Sequence, residues 1–457
     1  MRVELIAPFR TVFNLNSEFE GRGAARYQRE LERVLAVFDG MQGITASCRA
    51  PAPRDFRKFE SLSADQESHF AKPVYKIEMD GEFLRGLVDH AIGDGGSPTE
   101  LKIEFFVEES ALLIFDNTIG IATASVSIRN PKQYLSSDRA TLDKNLNWMM
   151  SRVVRLFQSR IIEPLIRELQ RNDNRTFRAS PRRKYFLLPP EHYQAFDDVG
   201  FPDYPVWPTE IDPLLWVNRT IVLDGSEGPL LEAVMDWAHV SAADRASFVG
   251  KESARVVQVG TNLFFNDPEV QDFLEANKTM QYFYTLFELL NQSQRRMYVN
   301  TSSSTSGKTL RNVAQQSDSV SSFIDFVVNE YKDYQLCIQS ARKRFNFALE
   351  ESFDLKTLLG NLQDRKITVR SKLEKLLTQR DRFMRRAMEG ALVTLGAVAI
   401  LDFALNLSVA SRTNEEALRD NVPGLIDLVR WVSTDALLNS ILAFIFIFAI
   451  LHAYRRK

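Results

Sequence analysis

The sequence predicts an α/β cytoplasmic domain joined by a long stalk helix to two C-terminal transmembrane helices. Three observations predict it. Two apolar stretches fall within residues 390–454 of the 457-residue chain. The segment before them, 319–389, has no proline and carries apolar residues at helical spacing. Residues 101–128 alternate apolar and polar side chains, with turn residues between the runs.

The first apolar stretch, 390–410, reaches roughly 31 Å as a helix, enough for a hydrocarbon layer of about 30 Å. Its one charge is Asp402. The second, 431–454, has a Phe/Ile-rich centre at 441–451. A backbone in lipid must satisfy its own hydrogen bonds, so both read as helices. The competing reading is a buried hairpin in a soluble domain, which leaves the basic flanks unexplained. Arg380, Arg382, Arg385 and Arg386 precede the first stretch, and Arg455, Arg456 and Lys457 follow the second. The positive-inside rule then puts both termini in the cytoplasm and residues 411–430 outside. Met1–Leu5 lack the pattern of a secretory signal, so the N-terminal part is expected to stay inside. The expected location is a bacterial inner membrane.

Apolar residues Leu355, Leu359, Leu362, Val369, Leu373, Leu376 and Phe383, with Lys366 and Arg380, alternate intervals of four and three. That is the seam of a helix packing on copies of itself or on another helix. Nothing between Phe383 and Gly390 stops the helix, so a stalk over 319–389 should run into the first span. Residues 364–386 hold nine basic side chains and three acidic ones. Arg382, Arg385 and Arg386 are therefore placed at the cytoplasmic mouth of a channel or against anionic lipid.

In the cytoplasmic part (1–300, with room for two subdomains), Leu101–Glu108, Ala111–Phe115 and Ile121–Ile128 read as antiparallel strands. Met149–Leu169 reads as a helix kinked or divided at Pro164. Further strands are expected at Leu215–Leu223 and Ala254–Phe265, and a helix over 268–297. Residues 301–318 read as a flexible linker. Within it, Ser306-Gly307-Lys308-Thr309 copies the end of a phosphate-binding loop, but Ser302 stands where that loop needs glycine. Arg178, Arg182, Arg183 and Lys184 form a basic patch, either a solvated loop or an anion-binding site. Two cysteines and five histidines without ligand spacing exclude a disulfide framework and a local zinc site. No catalytic set appears at local spacing, so no enzyme is expected.

Two helices enclose a pore only when several copies repeat them around an axis. Thr394, Asp402 and Asn406 fall within a sector of about 120°. A carboxylate facing lipid is costly, so Asp402 should face a pore or a polar partner such as Asn439 or Ser440.

This order of parts resembles the CorA-like magnesium transporter family, on 101–128 for the sheet, 319–389 for the stalk, 390–410 and 431–454 for the spans, and Arg455-Arg456-Lys457 for the tail. The resemblance implies a homopentamer with the first span lining the pore. Family members carry Gly-Met-Asn at the outer end of that span. Leu407-Ser408-Val409-Ala410-Ser411-Arg412 stand here instead, so no selectivity-filter residue carries over. The expected function is an oligomeric ion channel, cation-conducting and gated by an ion or small ligand, nucleotide included, at the cytoplasmic domain. A divalent cation is the one cofactor to consider, and membrane lipid is the other partner. No nucleic-acid polymer is expected. The alternatives are a nonconducting membrane-anchored receptor or scaffold and, behind it, a membrane-tethered enzyme.

Overall fold

Eight strands form one sheet: β1 (Arg2–Asn14), β2 (Ile44–Cys48), β3 (Tyr75–Asp80), β4 (Phe105–Ile114), β5 (Asn117–Ile128), β6 (Asn218–Leu223), β7 (Ala254–Val256) and β8 (Thr261–Phe265). Among the described residues their order is β2-β3-β4-β5-β1-β6-β8-β7, and of those pairings only β6–β8 is parallel. This computed structural model describes residues 1–14, 29, 32–36, 43–48, 72–84, 105–115, 117–137, 139–172, 212–223, 228–246, 248, 251–303, 307–338, 340–413, 432–433, 435–436, 439–444 and 446. The chain divides into two units, Met1–Arg370 and Ser371–Lys457.

Alternation assigns each strand its two faces. Tyr75, Ile77 and Met79 of β3 are buried, whereas Lys76, Glu78 and Asp80 are exposed. The buried face packs on α1 (Pro131–Ser137) and α2 (Arg139–Phe157), through Leu135, Leu142, Leu146, Met149 and Val153. The expected strands at 101–108 and 111–115 are one strand over the described part, β4. Its partner on β5 shifts from Val126 opposite Val107 to Ser125 opposite Glu109, which makes Glu108 a bulge. The bulge changes parity: Val107 packs on the core before it, Leu112 and Ile114 after it. A change of phase reads as a break when only the alternation is visible.

The helix is divided next to Pro164, as expected: a π-turn at Gln158–Ile162 precedes α3 (Glu163–Asn172). The Glu163 amide donates to the Gln158 carbonyl, and Pro164, which has no N–H and whose ring crowds the carbonyl of Arg160 four residues back, follows directly. Three other expectations are corrected. The strand expected over 254–265 is a hairpin, β7 antiparallel to β8. The segment 301–318 is helical in all its described residues: α4 (Gly228–Trp237) and α5 (Ala242–Ala246) precede β7, α6 (Val270–Ser303) follows β8, and α7 (Gly307–Cys337) begins four positions beyond the end of α6.

The stalk expected over 319–389 is three helices: α7, α8 (Ser340–Ser352) and α9 (Leu355–Thr413). Asp354 breaks the chain without glycine or proline, adopting φ 47° between the buried side chains Phe353 and Leu355. A short polar residue tolerates that left-handed conformation better than most. The continuous stalk therefore starts at Leu355 and, as expected, does not stop before the apolar stretch.

The sheet's other face receives α6. Phe115 stacks on Tyr282 with centroids 3.9 Å apart, and Phe264, Phe273 and Phe345 extend the aromatic contact to α8. A buried amide ladder sets the register. Trp216 donates to Gln281 (2.9 Å), Gln281 to Asn277 (3.2 Å), and Asn277 to Asn218 (2.8 Å), which also accepts from Asn262 (3.1 Å). Polar groups so paired are tolerated in a core and penalise any slip that would unpair them.

Candidate functional site

The apolar stretch of α9 gives the second unit its character. This is the one helix among the described residues long and apolar enough to cross a membrane, and only 11% of its apolar window is buried. A core helix of a soluble domain would be mostly buried; this one has Leu392, Leu395, Val398, Phe403 and Val409 exposed. The protein is membrane-associated through at least this helix. Of the second stretch, the described residues 435–436, 439–444 and 446 are helical, and Ser433 accepts the Ala436 amide as an N-cap. The remainder of 431–454, the connection from 414 and the tail 455–457 lie outside the described residues.

Along α9, Ala404, Ser408 and Ser411 are buried, while Val393, Ala397 and Leu401 are half-buried, with intervals of three and four. Small residues in such a stripe allow close helix packing. Asp402 and Asn406 are exposed and lie about 170° around the helix from the stripe, at 3.6 residues per turn. Asn406 Nδ2 donates to Asp402 Oδ2 at 3.3 Å. The alternative of Asp402 packing against Asn439 or Ser440 is not what the described side chains do: all three are exposed. Thr394 is exposed as well, at the edge of the same sector. It lies about 80° from Asp402, and its hydroxyl donates to the Gly390 carbonyl at 2.9 Å.

Arg382, Arg385 and Arg386 are exposed, as is every residue from Asp381 to Leu392. The pairing seam has a different fate from the one self-association requires. Leu355, Leu362 and Val369 are buried within the first unit, and Arg365 and Lys366 bond Asn291 of α6 and Asp325 of α7. The seam packs on helices of its own chain through Val369; Leu373 is buried as well, and farther on Phe383 is exposed.

The first unit holds a groove of about 610 Å³ between the exposed face of β1–β5 and the start of α6. Its floor includes Ile6, Leu113, Phe115 and Leu274. Asp80, Glu109, Ser125 and Glu4 are consecutive register partners on β3, β4, β5 and β1, so they form one row across the sheet. Sequence reasoning missed this row because it exists only once the strand order and the bulge are known. Burial pushes the Glu4 carboxyl up, although Ser125 donates to it at 2.9 Å and Arg2 lies at 3.1 Å. Burial also raises Glu275, but Lys278 and Lys76 outweigh it and hold that carboxyl below its ordinary value. Lys76 pairs with Glu78 and Lys278 with Glu275, which leaves the row the more acidic part of the groove.

No group of three or more His, Cys, Asp and Glu side chains suited to a metal ion occurs among the described residues, so no divalent-cation site is identified. Neither Cys48 nor Cys337 forms a disulfide. Arg178, Arg182, Arg183 and Lys184 lie outside the described residues. Gly307, Lys308 and Thr309 open α7. No protein-family model, curated protein or solved structure matches this chain.

Proposed function

We propose that this protein is an oligomeric cation channel in which the Asp402–Asn406 face of α9 lines a path shared by several copies. One observation carries this reading: an exposed carboxylate–amide pair sits mid-way along a membrane-length helix, on the side away from the stripe buried within the chain. Facing lipid, the carboxylate would cost about 2.5–3.5 kcal/mol or more. Facing an axis shared by copies, it stays hydrated and attracts cations. Both termini are then cytoplasmic, and five copies match the CorA-like order of parts. Magnesium selectivity is not part of the reading. The groove beside α6 offers room for a small effector, and the α6–α9 and α7–α9 bonds offer a route from that unit to the stalk.

Reconstituted full-length protein should pass monovalent or divalent cations, and Asp402→Asn should reduce the preference for cations over anions. No flux with any cation, anion or candidate nucleotide would sink the reading. A second reading, a nonconducting membrane-anchored receptor, is favoured by the seam that packs within its own chain, since that removes one reason for the stalk to self-associate. Under it, Asp402→Asn alters no flux because there is none.

A further inference from the structure

We infer that Arg382, Arg385 and Arg386 form a docking surface for anionic lipid headgroups on the outside of the assembly and do not line its cytoplasmic mouth. The inference rests on the channel reading in one respect, that Asp402 and Asn406 face the shared axis. All five residues belong to one uninterrupted helix, so their directions are linked. At 3.6 residues per turn, Arg386 lies about 180° from the centre of the Asp402–Asn406 face, Arg382 about 140°, and Arg385 about 80° on its flank. The residues that do continue that face toward the cytoplasm are Leu395, Met388 and Met384, all exposed and none charged. A mouth built by this face is apolar at its centre, with the exposed Asp381 about 40° to one side and no basic residue among them. The guanidinium groups point away from it; Arg386 lies in line with the buried stripe, but that stripe is covered only from Val393 onward and Arg386 is itself exposed.

Depth supports the same occupant. The apolar stretch opens at Gly390, and Arg386 and Arg382 precede it by about one and two helical turns, roughly 6 and 12 Å along the axis. That is the level of headgroups bordering a hydrocarbon layer. Guanidinium groups bind phosphate oxygens through paired donors and are less strongly hydrated than an ammonium. Glu389 lies in the same arc, so the arc carries a net charge of about +2, enough to attract an anionic surface within a Debye length.

The test uses full-length protein in vesicles of phosphatidylcholine and phosphatidylglycerol, with trace spin-labelled lipid of either headgroup. Electron paramagnetic resonance reads the lipid held against the protein. Wild type should prefer phosphatidylglycerol by about threefold or more, and the R382Q/R385Q/R386Q triple should lose most of that preference. The corresponding Arg→Lys triple should keep most of it, which guards against a Gln triple that fails to fold. High salt should weaken the preference in wild type. A control removing Lys251, Lys332 and Lys343, all exposed and elsewhere, should change nothing. An undiminished preference in the Gln triple overturns the inference. So does a Gln triple that keeps its lipid preference while its unitary conductance falls, or one that dissociates in detergent without lipid, which would assign the arginines to a neighbouring copy. The measurement needs no ion flux. A protein that sorts lipids and conducts nothing keeps this inference and loses the channel.

Discussion

Arg365 Nη1 donates to Asn291 Oδ1 at 2.6 Å, joining the start of the stalk helix to the long helix that lies on the sheet. Next to it, Lys366 Nζ lies 2.6 Å from Asp325 Oδ2. Two successive residues of α9 thus hold two different helices of the first unit. Asn291 is buried, whereas Asp325 is exposed. The two bonds should differ in weight accordingly.

Asn291→Ala should lower the stability of the first unit by about 1–3 kcal/mol, because it leaves a partly buried guanidinium with only the long contact to the residue's backbone carbonyl, at 3.5 Å. Asp325→Ala should cost well under about 1 kcal/mol, as exposed ion pairs do. Thermal unfolding of the two variants side by side checks this, and equal losses would show that burial does not set the weight of these ties.

Glu350 makes a second prediction. Tyr331, Gln335 and Asn346 all donate to its Oε1, locking α7 against α8. Burial, and then the bond to Glu350, push the Tyr331 hydroxyl well above its usual range, so it remains a donor at any physiological pH. Glu350→Ala removes one acceptor from three donors and should cost about 2–3 kcal/mol, whereas Glu350→Gln keeps an acceptor and should cost less. If the two variants unfolded at the same temperature, the carboxylate would not be the centre of the lock.

What could be read from residues alone has a simple boundary. That the stalk runs unbroken into the apolar stretch is legible, because a run free of proline, with apolar spacing of three and four, has few other solutions; that it starts at Leu355 and not near 319 is not. The end of α8 was not legible, because Asp354 does the work usually assigned to glycine and local composition gives no warning of it. The β4 bulge and the hairpin of β7 and β8 escape a reading of the residues for one reason: alternation records which face a side chain takes, not where the partner strand lies. Asp402 and Asn406 could be singled out as polar residues in an apolar helix. Their place opposite the buried stripe required the stripe itself.

The pH dependence should carry two opposed contributions. Bonding to Arg255 and the charge of Arg344, at 2.6 Å each, hold the Glu269 carboxyl below its ordinary value. Its stabilisation is therefore present above the unfolded value, near 4.5, and is lost as pH falls through the lower folded value. Glu4 is the reverse case. Burial raises its folded pKa, so stability declines as pH rises from the unfolded value through the folded one. Glu269→Gln should flatten the loss of stability on acidification, and Glu4→Gln should raise stability at neutral pH. Stability measured from acid to neutral pH separates them, and a Glu4→Gln protein weaker at neutral pH would show that its bond from Ser125 outweighs the burial.

Gln294 should respond in the direction opposite to most core residues. It is fully buried on α6, and neither its Oε1 nor its Nε2 has a hydrogen-bond partner. Nearby on the same helix, Asn291 has Arg365, and Thr301 donates to the Tyr298 carbonyl at 2.7 Å. An amide buried without partners forfeits its hydration and gains nothing in exchange, a penalty of about 1–3 kcal/mol. Leucine is close to it in volume and has no polar atom to desolvate. Gln294→Leu should therefore stabilise the first unit by about 1–2 kcal/mol, whereas Gln294→Ala should gain less because it opens a cavity. A rise in unfolding temperature for leucine but not alanine supports this account. A fall for leucine would mean that the amide is paired in solution, and that the α6 contact it occupies is polar by design of the sequence.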